Sequence, residues 1–213
     1  MALPDRRRQC RFFLIMSEED PSYLSGYFLI SEFDLLDPNF YRSVVLMIAH
    51  DEDGAFGLVV NRPSQATLGE VIEGVEDTPA ASIPVYIGGP VQQNALFVLH
   101  MSASRAGAAA GVKEPLEGLA FEPATKSLIE YLTGEWAALP EKERPVVRIY
   151  AGYSGWGPGQ LEGELKRESW VVLKATEQVV FDPDPQAAWA EALARKGPLY
   201  QIILQTGFKP SMN

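Results

Sequence analysis

The segment formed by residues 146–173 constrains the fold more than any other part of the chain. It reads VVRIYAGYSGWGPGQLEGELKRESWVVL: a β-branched apolar run, four glycines with a proline, a polar segment and a second apolar run. Apolar runs bounded by turn residues are typical of buried strands, and the segment between them is typical of a short helix. The segment therefore predicts a strand, a tight glycine loop, a helix that begins at Pro158 and a strand from Trp170.

The glycine loop does not match a dinucleotide-binding loop. Such a loop carries Gly-x-Gly-x-x-Gly and seats a pyrophosphate on the N-terminus of the following helix. Gly157 and Gly159 have the first spacing, but Glu162 stands in the third position. Glu162 and Glu164 would also repel a phosphate from the positive end of the helix. Nucleotide binding is therefore not expected at this loop.

The same loop does not match a nucleophilic elbow of the Gly-x-Ser-x-Gly type. Ser154 follows Gly152 at the correct spacing, but Trp156 replaces the last glycine. A nucleophilic serine also needs a base. The only two histidines, His50 and His100, each close an apolar run and are interpreted as satisfied strand-end residues. The sequence predicts no catalytic residue.

Composition argues against several classes of partner. The net charge is −10, and without residues 1–11 the chain has 14 basic and 27 acidic side chains. Such an acidic body disfavours direct binding to DNA or RNA. With Cys10 as the only cysteine and two well-separated histidines, neither a transition-metal site nor a cofactor is predicted. A site for a hard cation built from carboxylates alone stays open.

The first residues resemble a signal peptide only superficially. Four arginines precede an apolar run that covers residues 12–16, which is shorter than the apolar region of a signal peptide. No run approaches the length of a membrane-spanning helix. We expect a cytoplasmic protein, in keeping with the single cysteine. Residues 1–20 are predicted to form a disordered extension, and residues 21–213 a single domain.

The remaining pattern is that of a mixed α and β protein. The clearest hairpin pairs residues 44–49 with residues 56–60 across an Asp-Gly turn, which favours antiparallel pairing. Asp184 is predicted to cap a helix that has Pro185 in its first position. We predict an α+β fold, with one mixed, strongly bent sheet flanked by a few helices. Further strands are predicted at residues 27–30, 85–87, 95–99, 145–151 and 170–174, and further helices at residues 68–72, 124–135 and 158–167.

An ordered set of short motifs resembles the YqgE/AlgH family of bacterial proteins. The resemblance covers roughly residues 24–205. It implies an α+β fold with bent, coiled sheets, and it provides no catalytic residues to carry over. Most members have no known function, and some carry a transcriptional-regulator label. Alanine is common in the family where this chain has Ser154. The motifs are GYFL at 26–29, DPNF at 37–40, RSV at 42–44, DGAFG at 53–57, VVNRP at 59–63, GGPV at 88–91, VLH at 98–100, GYSGW at 152–156 and GQLE at 159–162.

Two interpretations of these motifs stay open. The functional one is that the motif turns meet on one face, where polar groups over an aromatic floor bind a small ligand or a peptide. The structural one is that the turn at residues 61–63 merely ends a strand, and that the glycine pair at 88–89 is a backbone crossing too tight for a Cβ. The candidate face comprises Asn61, Arg62, Gly88, Gly89, Tyr153, Trp156, Gln160 and Glu162.

Three functions follow from these alternatives. The favoured one is a non-enzymatic binding or regulatory protein that acts through protein contacts, because no nucleophile–base pair, metal cluster or phosphate loop is evident. The second is a small-molecule binder or hydrolytic enzyme that uses residues 152–162. The third is a transcriptional regulator that binds DNA, which the negative charge disfavours. The partner is an unknown protein or small molecule, and the oligomeric state stays open.

Overall fold

The computed structural model describes residues 23–101 and 112–208. The predictions for residues 1–20 lie outside the described residues. Within the described ranges the chain forms ten strands and six α-helices. The strands are β1 (Tyr27–Ser31), β2 (Val44–Asp51), β3 (Gly54–Val59), β4 (Pro63–Thr67), β5 (Pro84–Ile87), β6 (Val91–His100), β7 (Lys113–Leu116), β8 (Leu119–Pro123), β9 (Val147–Trp156) and β10 (Trp170–Lys174).

The helices are short, and several have the caps that the sequence indicates. Asp184 caps its helix by accepting hydrogen bonds from the backbone N–H groups of Gln186 and Ala187, with Pro185 in the first position as predicted. None of the described helices has the length and apolar character needed to cross a membrane. The helices are α1 (Leu68–Val71), α2 (Lys126–Tyr131), α3 (Gln160–Lys166), α4 (Glu177–Val180), α5 (Pro185–Ala194) and α6 (Pro198–Thr206).

The strands form one large, bent sheet, which confirms the predicted α+β class. Its main order is β10-β1-β2-β3-β9-β6-β8-β7, and β5 joins β4 to β9. Every pairing is antiparallel except that of β5 with β9, so the sheet is mixed. The predicted hairpin is β2–β3, with Asp51 opposite Gly54 at its turn.

Strand β9 runs through the segment that the sequence predicts to be a glycine loop. Its first half lies between β5 and β6, and its second half, from Ser154 to Trp156, pairs with β3. Gly152 joins the halves with φ +70°, and a Cβ there would lie 2.8 Å from the carbonyl oxygens of Gly89 and Val91. The loop prediction is therefore wrong: the glycine lets one strand bend between two parts of the sheet. The actual turn is residues 157–159, so α3 begins at Gln160 and not at Pro158.

Some elements were missed. Strands β4, β7 and β8 and helices α4 and α6 had no prediction, and β6 begins at Val91 instead of Ala95. The β7–β8 hairpin is rich in charge and contains Pro115, so it lacks the apolar alternation of a typical strand. The backbone pairing of β8 with β6 stabilises this hairpin where the local apolar pattern is absent.

Both faces of the central strands are covered by packed side chains. Side chains alternate along a strand, so Leu46 packs into a cluster with α4 and α5, while the neighbouring Met47 packs into a cluster with α3. A third cluster lies under α1 and α2. We call the side of β2, β3 and β9 that carries α3 the outer face, and the opposite side the inner face.

Candidate functional site

Two of the candidate residues, Tyr153 and Trp156, pack on different faces of the sheet. Trp156 lies opposite Ala55 and packs on the outer face, whereas Phe56 lies opposite Gly155 and packs with Tyr153 on the inner face. The Tyr153 ring and the Trp156 indole therefore pack in different core clusters, although both residues line one open groove at the hairpin end of these strands. The two residues are three apart along a strand, so their side chains point in opposite directions. That the motif turns meet on one face stays a prediction.

On the outer face, a single carboxylate holds two tryptophans. Glu164 Oε2 accepts hydrogen bonds from the indole N–H of Trp156 at 2.9 Å and of Trp170 at 2.8 Å. The side-chain amide of Gln160 donates to Glu164 Oε1 at 3.2 Å. The Phe40 ring packs against both indoles, with centroids 6.0 and 5.3 Å away. Trp156 and Gln160 are therefore brought together, through a partner, Glu164, that was not among the predicted site residues.

Glu162 connects α3 to the end of β2. Its carboxylate lies 2.9 Å from His50 Nε2, and His50 Nδ1 accepts a hydrogen bond from the backbone N–H of Leu24 at 3.1 Å. The Nδ1 contact requires a lone pair, so the ring proton lies on Nε2 and is donated to Glu162. The backbone N–H of Glu162 itself, and then His50, lower the pKa of this carboxyl. His50 is thus a buried strand-end residue with both nitrogens bound, as predicted.

Asn61 and Arg62 hold the connector between β1 and β2, which comprises residues 32–43. Asn61 accepts from the backbone N–H of Val44 at 2.8 Å and donates to the carbonyl of Arg42 at 2.9 Å. The Arg62 guanidinium donates to the carbonyl oxygens of Asn39 and Tyr41. Burial lowers the pKa of Arg62, and the nearby carboxylate Asp37 raises it. The hydrogen-bonding groups of both side chains are used within the fold.

Gly88 and Gly89 form a close backbone crossing over β9. A Cβ on Gly88 would lie 2.3 Å from the carbonyl oxygen of Gly152, and one on Gly89 would lie 2.2 Å from the carbonyl of Tyr153. Ser154 is fully buried under the same crossing and donates its hydroxyl hydrogen bond to the Gly88 carbonyl at 3.2 Å. Ser154 is therefore closed off from any substrate, and the geometry agrees with the structural interpretation of the glycine pair.

The inner face carries an open groove at the hairpin end of β2 and β3, which Ala55 and Trp156 of the outer face also line. We call it the hairpin groove. It has a volume of about 480 Å³. Its floor is the stacked pair of Phe56 and Tyr153, with ring centroids 4.6 Å apart, and both rings are partly exposed. Asp51 and Asp53 stand exposed at its rim beside the bare backbone of Gly155.

The groove was only partly predictable from the sequence. Tyr153 was a candidate, but Asp51, Asp53 and Phe56 were interpreted only as a turn and a strand. The acidic hairpin tip at residues 50–54 was the available signal. Its position next to β9 depends on the pairing of residues about a hundred positions apart, which the sequence pattern does not display.

The described residues contain few groups suited to acid–base or metal chemistry. No three His, Cys, Asp or Glu side chains within residues 23–101 and 112–208 are placed to hold a metal ion together. His100 Nε2 lies 2.9 Å from Glu122, and both side chains are buried. The two residues lie on the adjacent strands β6 and β8.

Comparison with known proteins identifies the family. A family model described as AlgH-like (DUF179) matches residues 28–201. UPF0301 proteins of Chlorobium limicola and Streptomyces coelicolor are 34% and 36% identical, and the matches cover 88% and 90% of this chain and 95% and 96% of theirs. The solution structure of Pseudomonas aeruginosa AlgH matches with a TM-score of 0.67 at 35% identity, over 92% of this chain and all of that one. A Corynebacterium diphtheriae protein, DIP2367, at 24% identity and a TM-score of 0.65, shares the fold over 86% of this chain and 91% of its own. The chain belongs to the AlgH-like family, as the motif resemblance predicted.

Proposed function

We propose that the protein is a non-enzymatic binding protein that acts through protein contacts at the hairpin groove. The observation that carries this proposal is the partly exposed Phe56–Tyr153 stack below the exposed carboxylates of Asp51 and Asp53. Aromatic side chains left uncovered next to polar groups are typical of the centre of a protein interface. The other polar candidates, which make side-chain hydrogen bonds within the fold, are Asn61, Arg62, Gln160 and Glu162.

The chemistry of the groove selects a cationic partner. Two carboxylates attract guanidinium or ammonium groups, and aromatic faces bind such cations directly. The net charge of −10 adds a long-range attraction that raises the rate of encounter with basic surfaces. We therefore assign the groove to a basic, extended segment of a partner protein.

The backbone of β9 offers a second means of attachment. Ser154–Trp156 pairs with β3 on one side. On the other side, β6 begins with Val91 opposite Tyr153, so among the described strands none continues along Gly155. An extended segment that adds to this edge makes main-chain hydrogen bonds while alternate side chains reach the groove. This arrangement supports an extended partner over a helical one.

The burial of Ser154 and His50 in the described part of the chain supports a non-enzymatic role. Ser154 is buried beneath Gly88, and His50 is held between Leu24 and Glu162. A cytoplasmic, regulatory role through such contacts is part of the proposal. Direct DNA binding is disfavoured, because an acidic chain is repelled by phosphates.

Calorimetric titration of the full chain with a short peptide of alternating arginine and phenylalanine tests the proposal. Replacing Asp51 and Asp53 together by asparagine weakens binding about tenfold, since two exposed ion pairs contribute roughly 1.4 kcal/mol in total. The control replaces the exposed Glu76 and Asp77, which line no part of the groove, by Gln and Asn, and leaves the affinity unchanged. Equal weakening by both double variants, or no binding of the peptide at all, would contradict the proposal.

A further inference from the structure

A second cleft lies on the outer face, between the connector and α3. It has a volume of about 290 Å³, and its aromatic walls are Phe40 and Trp170. We call it the α3 cleft. Its polar groups carry both signs of charge, which distinguishes it from the purely acidic hairpin groove. They are the carboxylates of Asp37 and Glu164, the guanidinium of Arg167 and the side-chain amide of Gln160.

The Glu164 carboxylate is fixed in place but not fully occupied. Oε2 accepts from the indoles of Trp156 and Trp170, which orients the group rigidly. Oε1 receives one bond, at 3.2 Å, from the exposed amide of Gln160. A carboxylate offers about four acceptor positions, so Oε1 retains capacity for a donor in the cleft.

The cleft also holds a cation with no carboxylate partner among the described residues. Arg167 is exposed and directly follows α3, three residues after Glu164, yet it makes no ion pair within the described parts of the chain. Its planar guanidinium is suited to bidentate binding of a carboxylate. A carboxylate-bearing ligand would find in Arg167 a guanidinium that forms no ion pair with the residues of the two described ranges.

We propose that the α3 cleft binds a free α-amino acid. Its ammonium group lies between Glu164 Oε1 and Asp37, against the faces of Phe40 and Trp170, which favour a cation. Its carboxylate binds Arg167. A ligand with only one of the two charges forgoes either the contact with Arg167 or the contacts with the carboxylates. This site is separate from the hairpin groove and adds a small-molecule ligand to a protein whose proposed function is protein contact.

The cleft volume limits the ligand to a small molecule. A volume close to the lower end of the range typical of ligand pockets accommodates a single amino acid but not an extended peptide. The geometry assigns the class of ligand, an α-amino acid, and leaves the side chain to be identified by experiment.

The test uses the indole N–H signals of Trp156 and Trp170 in the isotopically labelled full chain. Each standard α-amino acid is titrated to millimolar concentration. For the strongest binder, the corresponding amine without the carboxylate and acid without the ammonium group follow. We expect a saturable shift of both indole signals with the amino acid, and a loss of affinity of about tenfold or more with each analogue.

Variants of Arg167 make the test specific. Arg167→Ala weakens binding about tenfold, and Arg167→Lys recovers part of the loss because it keeps the charge without the planar fork. Lys166→Ala removes the same charge from the adjacent, exposed position and leaves the affinity unchanged. The proposal is overturned if no amino acid gives a saturable shift, if the amine binds as well as the amino acid, or if Lys166→Ala and Arg167→Ala weaken binding equally.

Discussion

The two faces of β2, β3 and β9 belong to the same strands but differ in how far they are covered by other parts of the chain. On the outer face, α3 covers the sheet and Glu162 and Glu164 bind His50 and two tryptophans. On the inner face, the tip of the hairpin leaves Phe56 and Tyr153 partly open to solvent. The glycine- and tryptophan-rich motif therefore chiefly builds the fold, while the less distinctive residues opposite it form the proposed contact surface.

The largest expected effect is a difference in stability loss between substitution of Gly88, at the backbone crossing, and substitution of Gly155, in the hairpin groove. Gly88→Ala places a Cβ 2.3 Å from a backbone oxygen, so either β9 or the crossing must move. We expect a loss of about 3 kcal/mol or more in the free energy of unfolding. Gly155→Ala meets only the edge of the Tyr153 ring, at 3.0 Å, and costs about 1 kcal/mol or less. Urea denaturation measures both; similar losses would remove the proposed contrast.

The second-largest effect is expected from loss of the hydrogen bonds that hold Trp156 and Trp170 on the outer face. Glu164→Ala leaves the N–H groups of Trp156 and Trp170, whose side chains are largely buried, without their acceptor. We expect a loss of about 2–3 kcal/mol in the free energy of unfolding. Glu164→Gln keeps one acceptor oxygen and should lose less. Asp53→Asn, on the exposed rim of the groove, should change stability by less than about 0.5 kcal/mol. An equal loss in Asp53→Asn would show that the groove rim is also structural.

A smaller effect separates stability from binding on the inner face. Tyr153→Ala removes ring contacts with Phe56 and Phe97 and should cost about 1–2 kcal/mol in the free energy of unfolding. It should also abolish binding of the arginine–phenylalanine peptide. Tyr153→Phe keeps the ring and should preserve both properties. Full peptide binding by Tyr153→Ala, measured by calorimetry, would exclude the aromatic floor as the contact.

The smallest effect is a pH dependence confined to the outer face. The pKa of Glu162 is lowered in the folded protein, first by its own backbone N–H and then by His50. The carboxylate therefore contributes stability that is present above its unfolded pKa and is lost as pH falls through the lowered folded value. Because the Glu162 side chain is 44% exposed, solvent screening keeps the contribution small. Denaturation profiles of Glu162→Gln should lack this acid-side loss; an unchanged profile would exclude Glu162 as its source.

Patterns among neighbouring residues predicted the elements that depend on neighbouring residues. The elements that depend on strand pairing between distant residues could not be predicted in the same way. The β2–β3 hairpin and the helix that Asp184 caps follow from neighbouring residues, so both predictions are confirmed. The glycines of β9 have the composition of a loop, and only pairing with β3 keeps them extended. The same pairing places Tyr153 and Trp156 on opposite faces. The hairpin groove was missed for this reason: its floor joins β3 to a strand about a hundred residues later.

The most direct test of the central claim is a map of amide chemical-shift changes in the full chain during titration with the arginine–phenylalanine peptide. The account predicts saturable changes at residues 51–56 and 153–155, and signals of α3 that stay unchanged. A peptide with glutamine in place of arginine should produce weaker changes at the same residues. Changes centred on α3 and the connector, or scattered over the surface, would contradict the claim that the inner face is the protein contact surface.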